Sequence, residues 1–289
     1  MFQLLNFLRP HHWIKNFLIF VPIVTSHQFD IFTIKNTILA FISFSLIASC
    51  GYVFNDLLDA KTDKLNTYKK KRLFASGSIT LTQSLIVILI LFSISIFFSI
   101  KINTQYLLII ILYFLSSIFY SYLIKKIIIL DIIVLSSFYT LRIFAGSIAT
   151  DIKISLWLFS FATFFFFSLA AVKRLAELVY LIKNKKNKIA GRGYKAIDLP
   201  IINSMCLCSG YISIVVLAFY INSPEVIVIY SNPNYLWGIC CVIFYWITII
   251  ILVANRGNMH HDPIIYASTD KVSYACLFLI LFFLTAGIY

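Results

Sequence analysis

Long apolar segments separated by short polar ones dominate this chain. A helix of about 20 apolar residues is long enough to cross a hydrocarbon core of about 30 Å. The pattern predicts nine membrane-spanning helices, at residues 14–30, 36–58, 82–100, 105–124, 127–149, 154–182, 203–222, 235–254 and 272–289. We therefore expect an all-α, polytopic membrane protein with a single transmembrane domain over residues 1–289.

Composition and charge support this interpretation. The chain is 61% hydrophobic and only 12% charged, whereas soluble domains carry about 25% charged residues. The net charge of +13 would suggest a nucleic-acid partner in a soluble protein. Here the location of the basic residues relative to the predicted spans accounts for the positive charge. With the N-terminus inside, 20 of the 24 Lys and Arg residues fall at the inner face and three at the outer face. This bias predicts an inner-membrane protein with a cytoplasmic N-terminus, an outer C-terminus and no nucleic-acid partner.

An acidic cluster marks the inner end of the second predicted span. Three of the 11 acidic residues of the chain, Asp56, Asp59 and Asp63, lie within eight positions. At this spacing they share one face of a helix, where their mutual repulsion requires a cation. Mg²⁺ prefers oxygen ligands and commonly binds carboxylates together with substrate phosphates. With Asn55 as a further oxygen donor, the cluster predicts a magnesium site.

Basic residues follow the acidic cluster directly. Lys71 and Arg72 end a run of four cations that is suited to hold phosphate oxygens. A metal ion together with cations stabilises a departing diphosphate. The alternative is a solvated helix end with mixed charges.

The stretch NDLLDAKTDK, followed by KKRLFASGSIT, resembles the first aspartate-rich motif of the UbiA superfamily of membrane prenyltransferases. That motif reads N-D-x-x-D-x-x-x-D and then R-P-x-x-S-G, and Leu73 stands here at the proline position. The resemblance implies a nine-helix bundle that binds a diphosphate through Mg²⁺ at the cytoplasmic side. It implies that Asp56, Asp59 and Asp63 are catalytic and that, with Asn55, they are metal ligands.

Further segments resemble the decaprenyl-phosphate phosphoribosyltransferase branch of this superfamily. They cover most of the chain in order, at residues 8–24, 120–149, 170–178, 191–200 and 256–273. The resemblance implies transfer of a phosphoribosyl group from phosphoribosyl diphosphate to a polyprenyl phosphate, with release of diphosphate, in the synthesis of cell-envelope polysaccharide precursors.

The sixth predicted span departs from the aromatic prenyltransferases of the superfamily. Where those enzymes carry a second aspartate-rich motif, this chain has Lys173, Arg174 and Glu177. Two cations suit the 5-phosphate of phosphoribosyl diphosphate, and Glu177 would orient them or contact ribose hydroxyls. A juxtamembrane anchor is the alternative.

Four residues complete the set of candidates for substrate binding. Lys15 and Asn16 open the first predicted span, and Tyr120 lies near the end of the fourth. Arg142 lies inside the fifth, within the pattern L-R-x-x-A-G. A charge at that depth usually faces the bundle interior, so we expect Arg142 to hold a phosphate or to pair with an acid such as Asp131.

Other functions remain open at this point. The second candidate is a prenyltransferase that moves a polyprenyl group from its diphosphate to an aromatic acceptor, and a membrane transporter is a remote third. His260 and His261 do not predict a zinc site, because adjacent side chains point in different directions. Homo-oligomerisation is left open, and any later phosphatase or epimerase step would be carried out by another protein.

Overall fold

The computed structural model describes residues 9–64, 74, 76–77, 80–185, 189, 191–259 and 262–288, and its regular elements are all helices. A 3₁₀-helix over Pro10–Phe20 comes first, and shorter 3₁₀ turns lie at Ile124–Lys126, Ala196–Asp198 and Pro233–Leu236. The α-helices are α1 (Val21–Ser26), α2 (Ile31–Lys64), α3 (Leu81–Ile102), α4 (Thr104–Tyr122), α5 (Leu130–Thr150), α6 (Leu156–Lys183), α7 (Leu199–Ile221), α8 (Pro224–Ile229), α9 (Trp237–Asn255), α10 (Pro263–Ala267) and α11 (Lys271–Ile288).

Within the described residues, eight helices are long and apolar enough to cross a membrane. They are α2, α3, α4, α5, α6, α7, α9 and α11. These helices confirm eight of the nine predicted spans, with their ends shifted by a few residues. The protein is therefore a multi-pass membrane protein built from helices.

The remaining predicted span, residues 14–30, takes a different form. The 3₁₀-helix Pro10–Phe20 has 11 residues and continues directly into the six residues of α1. A 3₁₀-helix rises about 2.0 Å per residue and an α-helix about 1.5 Å, so together they would span about 31 Å. That length is close to the hydrocarbon thickness, and a ninth crossing stays a prediction.

The two longest helices carry the charged candidate residues near their C-terminal ends. Helix α2 has 34 residues and α6 has 28, which corresponds to about 51 Å and about 42 Å. Both exceed the hydrocarbon core of about 30 Å, so part of each helix reaches into the polar region. The acidic cluster lies in the last three turns of α2, and Lys173 begins the last three turns of α6.

Side-chain caps fix where several of these helices begin. The Thr80 hydroxyl accepts the backbone N–H of Gln83, and the Gln83 side chain accepts the N–H of Thr80. Asn103 caps α4 and Ser155 caps α6 in the same manner, by accepting an N–H three residues later. Such caps satisfy donors that have no partner inside the helix.

The chain forms two compact units, and helix α5 contributes to both. The first unit comprises the described residues of Met1–Asp131 together with Leu141–Lys153. In it, α2 packs against the N-terminal 3₁₀-helix, α3 and α4. Helices α2 and α3 lie close because small hydroxyl side chains fill their contact: Ser43 Oγ is 2.8 Å from Ser99 Oγ. Such small polar residues are typical of helix contacts in membranes.

The second unit comprises Ile132–Thr140 and the described residues of Ile154–Tyr289. Helix α6 packs along α7, and α9 packs against α6, α7 and α11. A Cβ atom added at Gly210 would lie 2.9 Å from Ser168 Oγ, and that hydroxyl donates to the Cys206 carbonyl at 2.7 Å. The absence of a side chain at Gly210 thus permits α6 and α7 to approach closely.

Candidate functional site

The acidic cluster lies on a continuous helix, as its spacing predicted. Helix α2 runs through Asn55, Asp56, Asp59 and Asp63, so the three carboxylates share a face. Asp56 and Asp63 are buried, and Asn55 and Asp59 are half-buried. Carboxylates in such positions need positive charge nearby to remain ionised.

Arg9 supplies a cation to the first of these carboxylates. Its guanidinium forms an ion pair with Asp56 and lies 5.9 Å from the centroid of the Tyr52 ring. The backbone of Arg9 is left-handed, with a φ of 46°, immediately before the N-terminal 3₁₀-helix. Arg9 therefore connects the start of that helix to the end of α2. In the sequence, Arg9 stood out only as one of the 20 basic residues at the predicted inner face.

Lys125 supplies a cation to the second carboxylate. Its Nζ lies 2.6 Å from Asp59 Oδ1, and its side chain is only 8% exposed. Lys125 sits in the 3₁₀ turn after α4, whereas the neighbouring Lys126 is exposed. The sequence signal was a pair of lysines at the predicted inner face, but it did not reveal which lysine points inward.

The donor chemistry of the acidic cluster fits Mg²⁺, since Asn55, Asp56, Asp59 and Asp63 offer only hard oxygen ligands. Among the residues that the structure describes, no group of three or more His, Cys, Asp or Glu side chains is arranged to hold a metal ion. Two of the carboxylates point toward the cations described above. A magnesium site at these four residues stays a prediction.

Arg142 lies at the centre of a buried polar network in the first unit. Its Nε donates to Asn16 Oδ1 at 2.8 Å, and its Nη2 donates to the Tyr113 hydroxyl at 3.1 Å. Its guanidinium carbon lies 5.1 Å from the Phe44 ring centroid, a distance at which cation–π attraction operates. The network joins Arg142 to Asn16, two of the predicted candidates.

The N-terminal 3₁₀-helix carries two of the candidates in buried positions. Lys15 and Asn16 are 6% and 1% exposed, and Asn16 also donates to Ser45 Oγ of α2 at 2.9 Å. A Cβ atom at Gly146 would lie only 2.1 Å from the Ile19 carbonyl oxygen. The glycine of the L-R-x-x-A-G pattern thus permits the close backbone approach that brings Arg142 to Asn16.

Tyr120 contacts an acidic residue near the start of α5. Its hydroxyl donates to Asp131 Oδ1 at 2.7 Å. Asp131 is fully buried, and the sequence had suggested it as one partner of Arg142. Its observed contact with Tyr120 indicates that the tyrosine helps to hold a buried carboxylate.

In the second unit, Lys173 pairs with an acid that the sequence analysis did not place in a site. Its Nζ lies 3.0 Å from Asp262 Oδ2. The Tyr139 hydroxyl lies 3.3 Å from both oxygens of the same carboxylate, which also caps α10 through the N–H of Ile264. Asp262 is buried and holds Lys173 in a defined position.

Arg174 and Glu177 form an ion pair one turn apart on α6. Arg174 Nη1 lies 2.6 Å from Glu177 Oε2, and the Arg174 side chain is 0% exposed. Arg192, from the segment after α6, reaches the same oxygen with its Nε at 3.2 Å. Arg174, Glu177 and Arg192 therefore form one cluster of ion pairs, in which Arg192 is a residue that the sequence did not single out.

Lys71 and Arg72 lie outside the described residues, as do His260 and His261. The predicted role of Lys71 and Arg72 in phosphate binding therefore stays a prediction.

A profile of the UbiA prenyltransferase family matches residues 17–182, which is more than half of the chain. The chain belongs to the UbiA prenyltransferase family. Members of this family are transferases, so family membership favours an enzyme over a transporter.

Relatives of this UbiA family member include proteins named for different roles. Nodulation protein NoeC of Azorhizobium caulinodans is 33% identical over 274 residues, covering 93% of this chain and 88% of NoeC. Uncharacterized protein y4nM of Sinorhizobium fredii is 34% identical over 272 residues, and the chain spans about half (53%) of its length. Decaprenyl-phosphate phosphoribosyltransferase of Corynebacterium glutamicum is 30% identical over 177 residues, covering 60% of this chain and 53% of that enzyme.

Solved structures share the fold at low sequence identity. A UbiA homolog from Archaeoglobus fulgidus, bound to GPP and Mg²⁺, superposes with a TM-score of 0.71 at 15% identity, covering 98% of this chain and 99% of that one. A digeranylgeranylglyceryl phosphate synthase superposes with a TM-score of 0.64 at 16% identity, covering 100% of this chain and 99% of that one. These similarities establish the UbiA fold for the chain.

Proposed function

We propose that this UbiA family member transfers a phosphoribosyl group from phosphoribosyl diphosphate to a polyprenyl phosphate in a Mg²⁺-dependent reaction that releases diphosphate. The product would be a 5-phosphoribosyl-phospho-polyprenol, a lipid-linked sugar suited to the synthesis of cell-envelope polysaccharides.

The observation that carries the proposal is the pair of cations in the C-terminal part of α6. Arg174 is completely buried beside Glu177, and Lys173 is held by Asp262. A donor with two separate phosphate groups requires cations in addition to those that hold its diphosphate. The similarity to decaprenyl-phosphate phosphoribosyltransferase of C. glutamicum supports the same donor, whereas the name of NoeC states no reaction.

The acidic end of α2 would bind the diphosphate side of the donor. Asp56, Asp59, Asp63 and Asn55 are the residues that would hold Mg²⁺, as the A. fulgidus homolog was solved with Mg²⁺. When bound, the ion supplies positive charge that offsets the negative charge on a leaving diphosphate. The family resemblance implies that Lys71 and Arg72 also bind the diphosphate of the donor. Lys15 and Asn16 are further candidates for contact with the substrate.

The proposed chemistry is a displacement at C1 of the ribose. An oxygen of the lipid phosphate forms a bond to C1, while the C1–O bond to the diphosphate breaks and its electron pair leaves with the diphosphate. The lipid phosphate is already anionic near neutral pH, so no strong general base is needed. The residues of the protein contribute by orienting two anions that would otherwise repel each other.

The charge distribution along the chain supports a cytoplasmic location for the acidic cluster. Phosphoribosyl diphosphate is a water-soluble donor, and the positive-inside bias of the sequence favours the cytoplasmic side for the end of α2. We propose this orientation, with the N-terminus inside and the C-terminus outside an inner membrane.

A prenyltransferase is the second candidate. A 35% identity over 85 residues to digeranylgeranylglyceryl phosphate synthase of Sulfurisphaera tokodaii favours this class. The name of that enzyme indicates a lipid phosphate as its product. The prenyltransferase with an aromatic acceptor, which the sequence left open, would also use a prenyl diphosphate as its donor. The two classes differ in which molecule provides the diphosphate.

A pair of assays on purified protein in lipid nanodiscs separates the candidates. One contains labelled phosphoribosyl diphosphate and a polyprenyl phosphate, and the other contains labelled prenyl diphosphate with 4-hydroxybenzoate or a glyceryl phosphate. We expect label in the lipid fraction only in the first assay, with loss of product after EDTA treatment and recovery with added Mg²⁺. Product only in the second assay, or full activity in EDTA, would contradict the proposal.

A further inference from the structure

A buried aspartate in the segment between α9 and α11 forms an ion pair with a lysine of α6. Lys173 Nζ donates to Asp262 Oδ2 at 3.0 Å, although 89 residues separate the two along the chain. The aspartate side chain is 5% exposed and the lysine side chain is 27% exposed. The pair therefore faces its surroundings through the lysine and keeps the carboxylate inside the protein.

The short helix that follows Asp262 fixes the backbone of this residue. The carboxylate Oδ1 accepts the N–H of Ile264 at 3.3 Å and so caps α10. Pro263 is the first residue of that helix, a position where its missing N–H is tolerated and its fixed φ suits the helical turn. Helix α10 packs against α6, which carries Lys173. Asp262 thus has a defined backbone position relative to the lysine.

A tyrosine of α5 fixes the carboxylate group itself. The Tyr139 hydroxyl donates to Asp262 and lies 3.3 Å from both carboxylate oxygens. The Tyr139 ring stacks on Phe166 of α6, with ring centroids 5.2 Å apart and an angle of 16° between the ring planes. Both aromatic residues are 4% exposed, and close packing limits the movement of such side chains. The orientation of Asp262 is therefore set by two other segments of the second unit.

A lysine side chain needs such support to bind an anion in one geometry. Its four-carbon stem is flexible, and the rotamer freedom that it loses on binding weakens the complex. A buried partner that restricts the stem beforehand removes part of this cost. The carboxylate of that partner also offsets the ammonium charge. By charge alone Asp262 would weaken anion binding at Lys173, whereas by orientation it would strengthen it.

We propose that Asp262, itself held by Tyr139, is a positioning residue that orients Lys173 toward a phosphate group of the substrate. Naming that group as the 5-phosphate of phosphoribosyl diphosphate rests on the proposed function. Asp262 had no place in the site expected from the sequence, because its contact with Lys173 exists only after folding.

The test compares two aspartate variants in lipid nanodiscs. Asparagine keeps the size of Asp262 and an oxygen that accepts the N–H of Ile264, so Asp262→Asn removes mainly the charge beside Lys173. We expect KM for phosphoribosyl diphosphate to rise by about 3-fold to 10-fold, as when a hydrogen bond to a charged group is weakened. Asp270→Asn is the matched control, because Asp270 lies in the same segment and caps α11 through the N–H of Ser273 at 2.8 Å. The control should change KM by less than about 2-fold.

The direction of the change separates orientation from charge. If Asp262 only neutralises Lys173, Asp262→Asn adds one positive charge to the site and lowers KM, so an unchanged or lower KM overturns the proposal. Lys173→Gln supplies a second criterion. A residue that acts through Lys173 has no further effect once the lysine is gone, so the double variant should match the KM of Lys173→Gln within about 2-fold. Effects that multiply would show that Asp262 acts elsewhere.

Tyr139→Phe tests the same arrangement without changing a charge. Phenylalanine preserves the stacking on Phe166 and removes only the hydroxyl that holds Asp262. KM should rise by about 2-fold to 3-fold, and the rise should disappear in the Lys173→Gln background. An unchanged KM, or a rise that persists without Lys173, overturns the role of Tyr139. If Asp262→Asn does not fold, this comparison decides the proposal alone.

Acylation of Lys173 provides a measurement that does not depend on the reaction. An amine-reactive ester modifies the nucleophilic nitrogen of lysine, and mass spectrometry gives the rate at this residue. Loss of its partner should raise the rate several-fold in Asp262→Asn but not in Asp270→Asn, and equal rates overturn the positioning role. Phosphoribosyl transfer with a KM that does not depend on Asp262 refutes this inference and leaves the function standing. Asp262-dependent acylation in a protein that transfers no phosphoribosyl group refutes the function and leaves Lys173 held by Asp262.

Discussion

The Nζ of Lys125 lies 2.6 Å from Oδ1 of Asp59, although 66 residues separate the two in the sequence. This pair connects the turn after α4 to the last turns of α2, where Arg9 also pairs with Asp56. Each of these two acids therefore has a cation at the place where family resemblance implies a diphosphate bound through Mg²⁺. The end of α2 gathers oxygen donors and cations together, as phosphate chemistry requires.

Replacement of Asp59 by Asn should remove activity and preserve the fold. We expect diphosphate release from phosphoribosyl diphosphate to fall by at least about 100-fold, because a charged group at the reacting diphosphate is lost. Asp30→Asn is the matched control, since Asp30 caps the opposite end of the same helix by accepting the N–H of Thr33 at 3.0 Å. A diphosphate-release assay on both variants checks this. An active Asp59→Asn protein would contradict the proposed mechanism.

Replacement of Lys125 by Gln should reduce stability. Removing one partner of a buried ion pair costs about 3–5 kcal/mol, but Asp59 is partly exposed, so we expect about 1–2 kcal/mol. Lys126→Gln should change stability by less than about 0.5 kcal/mol, because that lysine is exposed. Thermal unfolding in detergent measures both. Combining Lys125→Gln with Asp59→Asn should recover part of the loss, and equal losses for the two lysine variants would show that the pair does not stabilise the fold.

Arg142 should not tolerate replacement by Lys. The ammonium group of a lysine is not planar, so it cannot donate to both Asn16 and Tyr113 while it stacks on the Phe44 ring as the guanidinium does. We expect Arg142→Lys to lose about 2–3 kcal/mol of stability, and Tyr113→Phe, which removes one contact, to lose about 1 kcal/mol. Unfolding curves with a parallel measurement of KM check this. A stable Arg142→Lys protein with a raised KM for the donor would instead assign Arg142 to phosphate binding.

Gly146→Ala should displace the N-terminal 3₁₀-helix. The new Cβ would lie 2.1 Å from the backbone oxygen of Ile19, and a carbonyl in a helix cannot rotate away. We expect a loss of about 2–3 kcal/mol, typical of overpacking. Gly51→Ala is the control, because its Cβ would meet only the Ser117 side chain, with Oγ at 2.9 Å and Cβ at 3.5 Å, and not a backbone atom. Similar unfolding temperatures for the two variants would contradict the close approach seen in the structure.

The membrane helices were predictable because hydropathy is a local property of the sequence. The predicted span 82–100 corresponds to α3, Leu81–Ile102, and the capping residue Thr80 stands directly before its start. The spacing of Asp56, Asp59 and Asp63 likewise predicted a single helical face, which α2 confirms. The form of the predicted span 14–30 was not predictable in this way. The 3₁₀-helix packs against α2, and the Ile19 carbonyl lies beside Gly146 of α5, a contact between residues that are far apart in the sequence.

By itself, the sequence determined that this protein is built from membrane helices, that most of its basic residues fall in alternate segments between the apolar runs, and that three carboxylates share one helical face. These properties depend on the identity and order of neighbouring residues. Only the tertiary structure decided that Lys125 rather than Lys126 meets Asp59, that Arg9 meets Asp56, and that Arg192 joins Glu177. An ion pair forms where chain folding brings opposite charges within a few ångströms. The sequence does not show which of two charges tens of residues apart will lie within that distance after folding.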